Sequence, residues 1–128
     1  MKVILASKSG VRKKILDKYG FQAIVSPSNV DEDQVKDSLL DKGADPEIIS
    51  KNLAELKSTK VSVKFPDQLV IGADSVISLN SKLINKPRSR DEAFKILKIM
   101  NGKKHFLISS VCISKNGSMI WNHTEKSE

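Results

Sequence analysis

Asp74 interrupts the apolar run LVIGADSVISL, which extends from Leu69 to Leu79. Burying a carboxylate costs free energy unless it is paired or used. Two readings follow from the sequence. The strand ends at Gly72 and the acid is a solvated turn residue, or the acid is the working group of a site. An acid just beyond VIGA would lie where α/β folds bind ligands, outside the carboxyl end of a strand. There it could hold Mg²⁺ through oxygen or take a proton from water. Glu32, after a strand and a PSNV turn, could bring a second carboxylate, and Lys86 in INKP a cation. Two acids, a lysine and an anion cradle suit metal-assisted hydrolysis of a phosphoanhydride. Spacing alone does not bring them together, so a turn Asp with a surface Glu and Lys stays open.

The cradle would come from LASKSGVRKKIL, where short polar residues and a glycine separate a strand from a helix. Ser7, Ser9 and the first amides of that helix can bind an anion, because these N–H groups lack partners within the helix. Arg12 and Lys13 add positive charge, and a guanidinium can grip two phosphate oxygens. The stretch is not a Walker loop. A helix cap beside a solvated basic face is the competing reading.

These residues need elements to hold them. Lys2 to Ala6 reads as a short buried strand, and Val11, Ile15, Leu16 and Tyr19 as one face of a helix stopped by Gly20. FQAIVSPS reads as a strand ended by Pro27. VDEDQVKDSLLDKG places Val35, Leu39 and Leu40 at helical spacing before Gly43. Asp45-Pro46 opens another helix, with Ile49, Leu53 and Leu56 among its apolar positions, running to about Val61. QLVIGA and SVISL flank Asp74, and NSK is a turn before LINKP. Ser89 and Glu92 form a capping box for a helix whose inner face is Ala93, Ile96, Leu97 and Met100. HFLISSVCIS and SMIWNH are strands joined through Asn116-Gly117, a hairpin signal. The expected fold is α/β, a mixed twisted sheet flanked by helices, in a single domain over residues 1–128.

Composition narrows the function classes. No run approaches the ~20 apolar residues that span a bilayer, so a membrane is not expected as a partner. The one cysteine, Cys112, excludes an intrachain disulfide and a cysteine zinc cluster, and a cytoplasmic location is the default. It is expected to pack within its strand. His105 and His123 have no recognised metal-ligand spacing with it. The formal charge of +7 favours polyanions. A generic Lys-rich surface is the plainer explanation. No nucleic-acid motif accompanies the charge, and one Trp and one Tyr supply few stacking platforms, so nucleic acid is not expected as a partner.

Taken together, the blocks resemble the Maf (septum formation) family. LASKSGVRKKIL is similar to its signature L-A-S-x-S-P-R-R-x-x-L-L, and VIGADSVISLNSKLINKP to V-I-G-A-D-T/Q-V followed by G-K-P. VDE at Val30 to Glu32 and AFKILKIMNGKKHFLISSV resemble two further blocks in the same order. The resemblance implies a nucleoside triphosphate pyrophosphatase that cleaves between the α- and β-phosphates. It also implies an inosine-triphosphatase-like fold with a cleft between two lobes, and a divalent cation, Mg²⁺ or Mn²⁺, held by Asp74 and Glu32. Substrates would be dTTP and UTP, modified nucleotides or 7-methyl-GTP, with an effect on cell division. By position, Asp74 becomes the proton acceptor that activates water. Ser7, Ser9 and Arg12 become the triphosphate cradle, Glu32 the supporting acid and Lys86 the phosphate-side cation.

The departures from the family pattern are local, except at the end. Gly10 replaces the signature Pro, Val11 its first Arg, Ser75 the Thr or Gln after the aspartate, and Asn85 the Gly before Lys-Pro. The family's G-E, D-K-A-G-x-Y-x-I-Q-G and G-L-P segments are missing, so the chain reads as a Maf-like protein truncated at its C-terminus. That leaves a sheet edge and apolar surface that a partner, such as a second copy in a homodimer, would cover. The alternative to an active enzyme is therefore a non-catalytic protein that binds nucleotide weakly or acts through a protein partner.

Overall fold

The computed structural model describes residues 2–7, 10–79, 82–84 and 89–128. In chain order the elements are β1 (Lys2–Leu5), α1 (Gly10–Lys18), β2 (Gln22–Val25), α2 (Glu32–Asp41) and α3 (Pro46–Ser62). They continue with β3 (Val70–Leu79), β4 (Lys82–Ile84), α4 (Arg90–Met100), β5 (His105–Lys115) and β6 (Ser118–Ser127).

Local chemistry sets most boundaries. Asp31, Asp45 and Ser89 each accept a backbone N–H at the start of α2, α3 and α4, satisfying donors that have no partner within the helix. Pro46 follows its cap at the first turn of α3. Asn116 (φ 52°) and Gly117 (φ 82°) adopt the left-handed pair that a two-residue hairpin requires. The hairpin is tied down at both ends. The Asp67 N–H donates to Asn116 Oδ1 (2.9 Å), and the Gly117 N–H donates to Ser62 Oγ (2.8 Å).

The six strands form one mixed sheet in the order β2-β1-β3-β5-β6, with β4 also on β3. β1 lies parallel to β2 and β3, while β5 runs antiparallel to β3 along its whole length. The far edge of β3 is shared. Val70 and Ile71 pair with β1, and Ile77 to Leu79 pair with β4. Between them, Gly72 to Val76 have no strand on that edge among the described residues. Carrying the β1 register forward sets Ser7 level with Ala73, so the β1–α1 connection leaves the sheet at this gap.

α3 covers one face of β3 and β5. Ile49, Leu53, Ala54 and Val61 are buried against Val70, Val76, Ile108 and Cys112. The contact is close because it is lined with small residues. A Cβ added to Gly72 would lie 2.4 Å from the Ala54 carbonyl oxygen and 2.8 Å from the Ser58 nitrogen. Hydroxyls in this layer are matched, with Ser58 and Ser114 2.7 Å apart and Ser110 and Thr124 2.9 Å apart. Cys112 packs here as expected, with Sγ 3.9 Å from the Lys51 carbonyl oxygen. Burial pushes its thiol pKa up to about 11.

Two expectations, for β3 and α4, are corrected, and α1 and Leu56 show where apolar residues stay exposed. β3 does not stop before Asp74 but runs through it, because β5 pairs with every residue from Val70 to Leu79. The α1 face is not core: Val11 is 69% and Tyr19 72% exposed, Ile15 is exposed and Leu16 half-buried. In α4, Leu97 is exposed while Ala93, Ile96 and Met100 are half-buried, so its apolar face has no cover among the described residues. Leu56 of α3 also points outward. The buried face is centred on Ile49, Leu53, Ala54, Lys57 and Ser58, about one residue away from the stripe that hydropathy suggests. The NSK turn and the Asn85-Lys86-Pro87 segment lie outside the described residues, apart from Lys82 to Ile84, which form β4.

Candidate active site

Asp74 occupies the middle of β3 and points, like Gly72 and Val76, toward α3. It is 3% exposed. Its backbone carbonyl accepts from Ser50 Oγ at 3.1 Å. Its carboxylate meets Lys57 of α3, with Nζ 3.2 Å from Oδ1 and 3.3 Å from the Ala73 carbonyl oxygen. The same ammonium is ion-paired to Glu32 Oε1. One lysine therefore joins the two carboxylates, which come from different elements: Asp74 from mid-sheet and Glu32 from the first position of α2.

Asp74 Oδ2 is buried and has no hydrogen-bond partner among the described residues. Burial raises the pKa of this carboxyl, opposed chiefly by Lys57, while Glu32 reinforces the rise and Lys36 opposes it. The site thus holds a carboxylate more basic than usual, with one oxygen uncommitted.

The remaining candidates divide. Ser7 is half-buried just beyond β1, and Arg12 Nη1 donates to its hydroxyl at 2.9 Å. The cradle's serine and arginine therefore sit together at the gap in the β3 edge. Lys13 does not join them. Its ammonium is 2.8 Å from Asp17, one turn along α1 on an exposed surface, and that hydrogen bond lowers the Asp17 pKa. The physical reason is local, since an i,i+4 carboxylate is nearer than the loop. Ser9 and Lys86 lie outside the described residues. His105 and His123 lie away from the carboxylates, at the start of β5 and on β6.

Sequence reasoning missed Lys57, the residue that organises the site, together with Ser50 and Lys36. A signal was present. Lys57 follows Leu53 by four and Ala54 by three, so it falls on the buried face of α3, where an unpaired lysine would be costly.

The structure defines an α/β protein whose carboxylate–lysine cluster lies where a mixed sheet parts between a parallel and an antiparallel neighbour. The chain belongs to the Maf-like protein family, whose family model matches residues 2–128. It is 65% identical to a nucleoside triphosphate pyrophosphatase of Pelagibacter ubique (strain HTCC1062), over 97% of this chain and 64% of the relative. It is 39% identical to a dTTP/UTP pyrophosphatase of Pyrococcus furiosus, over 93% of this chain and 59% of that protein. With a 7-methyl-GTP pyrophosphatase of Brucella abortus it shares 36% identity, over 96% and 62% respectively. The chain thus spans about three-fifths of the length of these curated relatives. Among solved structures, the Staphylococcus aureus Ham1 protein superposes with a TM-score of 0.60 at 14% identity, covering 98% of this chain and 68% of that one. That likeness shows the fold alone.

Proposed function

We propose that this chain carries the phosphate-side machinery of a nucleoside triphosphate pyrophosphatase. The reaction would be hydrolysis of the α–β phosphoanhydride to a nucleoside monophosphate and pyrophosphate. The observation that carries this reading is Asp74: a buried, raised-pKa carboxyl with one free oxygen, held through Lys57 to Glu32. The names of the relatives support the same activity.

In the proposed step, water adds to phosphorus, its proton passes to the Asp74 carboxylate, and the bridging oxygen departs with pyrophosphate. Lys57 fixes Oδ1 and leaves Oδ2 to face the water. Ser7 and Arg12 would bind phosphate oxygens, with Ser9, Lys13 and Lys86 as further candidates; Lys13 would first have to leave Asp17. Two carboxylates, one of them with an orphaned oxygen, are hard donors that fit Mg²⁺ or Mn²⁺, so Asp74 and Glu32 would hold the metal. A bound divalent cation would neutralise phosphate charge and lower the pKa of water. No group of three or more His, Cys, Asp or Glu residues gathers among the described residues, so the remaining ligands would be water and substrate. A cytoplasmic location, where nucleoside triphosphates are available, fits the single unpaired thiol. No described helix is long and apolar enough to cross a membrane.

A pyrophosphate-release assay across a nucleotide panel with Mg²⁺ and Mn²⁺ tests the proposal. Turnover with at least one nucleotide, lost in Asp74→Asn, is expected. Absence of turnover on the whole panel, or an unchanged Asp74→Asn rate, rejects it. A second reading, a homodimer that works through a protein partner, draws on the exposed Leu107, Ile120 and Trp121 of β5 and β6. Light scattering that shows a monomer with full turnover rejects that second reading.

A further inference from the structure

Lys36 stands apart from the other cations of the site. It lies on α2 four residues after Glu32, hence on the same helix face. It is only 8% exposed, yet it makes no hydrogen bond or ion pair with any described residue. Asp74 Oδ2 is the one described side-chain polar atom sealed from solvent without a partner, so the buried part of Lys36 is its aliphatic stem and its ammonium reaches water. Here the neighbouring carboxylates are already engaged, since Glu32 and Asp74 Oδ1 both hold Lys57. The field of Lys36 nonetheless reaches Asp74 and favours its ionised form. The groups facing Asp74 among the described residues are Lys57 from α3 and Glu32 and Lys36 from α2.

We propose that Lys36 is a phosphate-binding residue, completing with Ser7 and Arg12 the site for the pyrophosphate portion of the substrate. This rests on the pyrophosphatase reading above. The ligand class is an inorganic or nucleotide polyphosphate. A monophosphate, with its single phosphoryl group, would gain little from Lys36. Its position also separates two functions in space: α3 supplies the cation that organises the carboxylates, and α2 supplies the one kept for substrate. In the free protein its ammonium has no protein partner among the described residues, so it is available to a phosphate oxygen.

The test uses the full chain with inorganic pyrophosphate and Mg²⁺ in calorimetric titration. Lys36→Met should bind pyrophosphate about tenfold more weakly, as expected for loss of one charged contact. Lys36→Arg should stay near wild type, and a nucleoside monophosphate should bind Lys36→Met and wild type alike. If Lys36→Met fails to fold, Lys36→Gln takes its place. Unchanged pyrophosphate affinity, an equal loss for the monophosphate, or no pyrophosphate binding by wild type would each overturn the assignment. The two readings fail separately. Selective loss of pyrophosphate binding in a chain that turns over no nucleotide keeps Lys36 and rejects the enzyme. Normal turnover with unaltered affinity in Lys36→Met does the reverse.

Discussion

Lys57 makes it possible to place an acid in the middle of a strand. Without it, Asp74 and Glu32 would lose the ammonium that pairs with both, leaving among the described residues the weaker field of Lys36. If Asp74 is the general base, Asp74→Asn should lower kcat/KM by about 10²- to 10⁴-fold, the usual worth of a positioned base. Lys57→Met should also reduce activity and should move the acid limb of the pH–rate profile upward. The sign follows from the local balance: burial raises the Asp74 pKa and Lys57 restrains that rise, so removing the ammonium raises it further. A limb that stays put or moves down, measured on kcat/KM, contradicts this account. The acid and its possible roles were legible in the sequence, since a carboxylate in an apolar run is conspicuous. Its true setting was not, because the partner that pays for it lies 17 residues away on another element.

At the scale of elements, caps and turns could be read because their chemistry is local: Asp45-Pro46, Ser89 with Glu92, and Asn116-Gly117 all mark the boundaries observed. The face of α3 could not be read by hydropathy. Its contact with the sheet is made by Ser50, Ala54, Ser58 and Ser62 as much as by Ile49 and Leu53. Those small residues allow α3 to approach Gly72 so closely that no side chain fits there. Gly72→Ala should therefore destabilise the fold by about 1–3 kcal/mol through overpacking. It should also lower activity, because α3 cannot lift from β3 without drawing Lys57 away from Asp74. Urea denaturation and the same nucleotide assay check both halves. Loss of stability with full activity would show that the helix position and the site are uncoupled.

For the molecule as a whole, Asp74 ties stability to pH. Its folded pKa lies above the ordinary carboxylate value, so between the two values the folded chain holds a proton that the unfolded chain has released. Stability should fall as pH rises through that window, and the full penalty stands above it. Asp74→Asn escapes the penalty. It should be more stable than wild type at neutral pH, with the advantage closing once the pH drops below the ordinary carboxylate value. Urea unfolding at a series of pH values measures this, and a constant difference across the series argues against it. The order of the strands was only partly legible. Helices between strands announced β1 and β2, and the hairpin announced β5 and β6. That β3 divides one edge between β1 and β4 depends on contacts distant in sequence.

Cys112, sealed beneath α3 with its thiol pKa near 11, carries a practical consequence. In the closed state a thiol-specific reagent finds neither access nor thiolate. Labelling must wait until the helix parts from the sheet, so its rate reports the opening of the element that carries Lys57. The chain thus contains its own clock for that motion. If polyphosphate bridges α2 and the β1–α1 loop over the site, adding it should slow the clock without altering the reagent's rate with a free thiol.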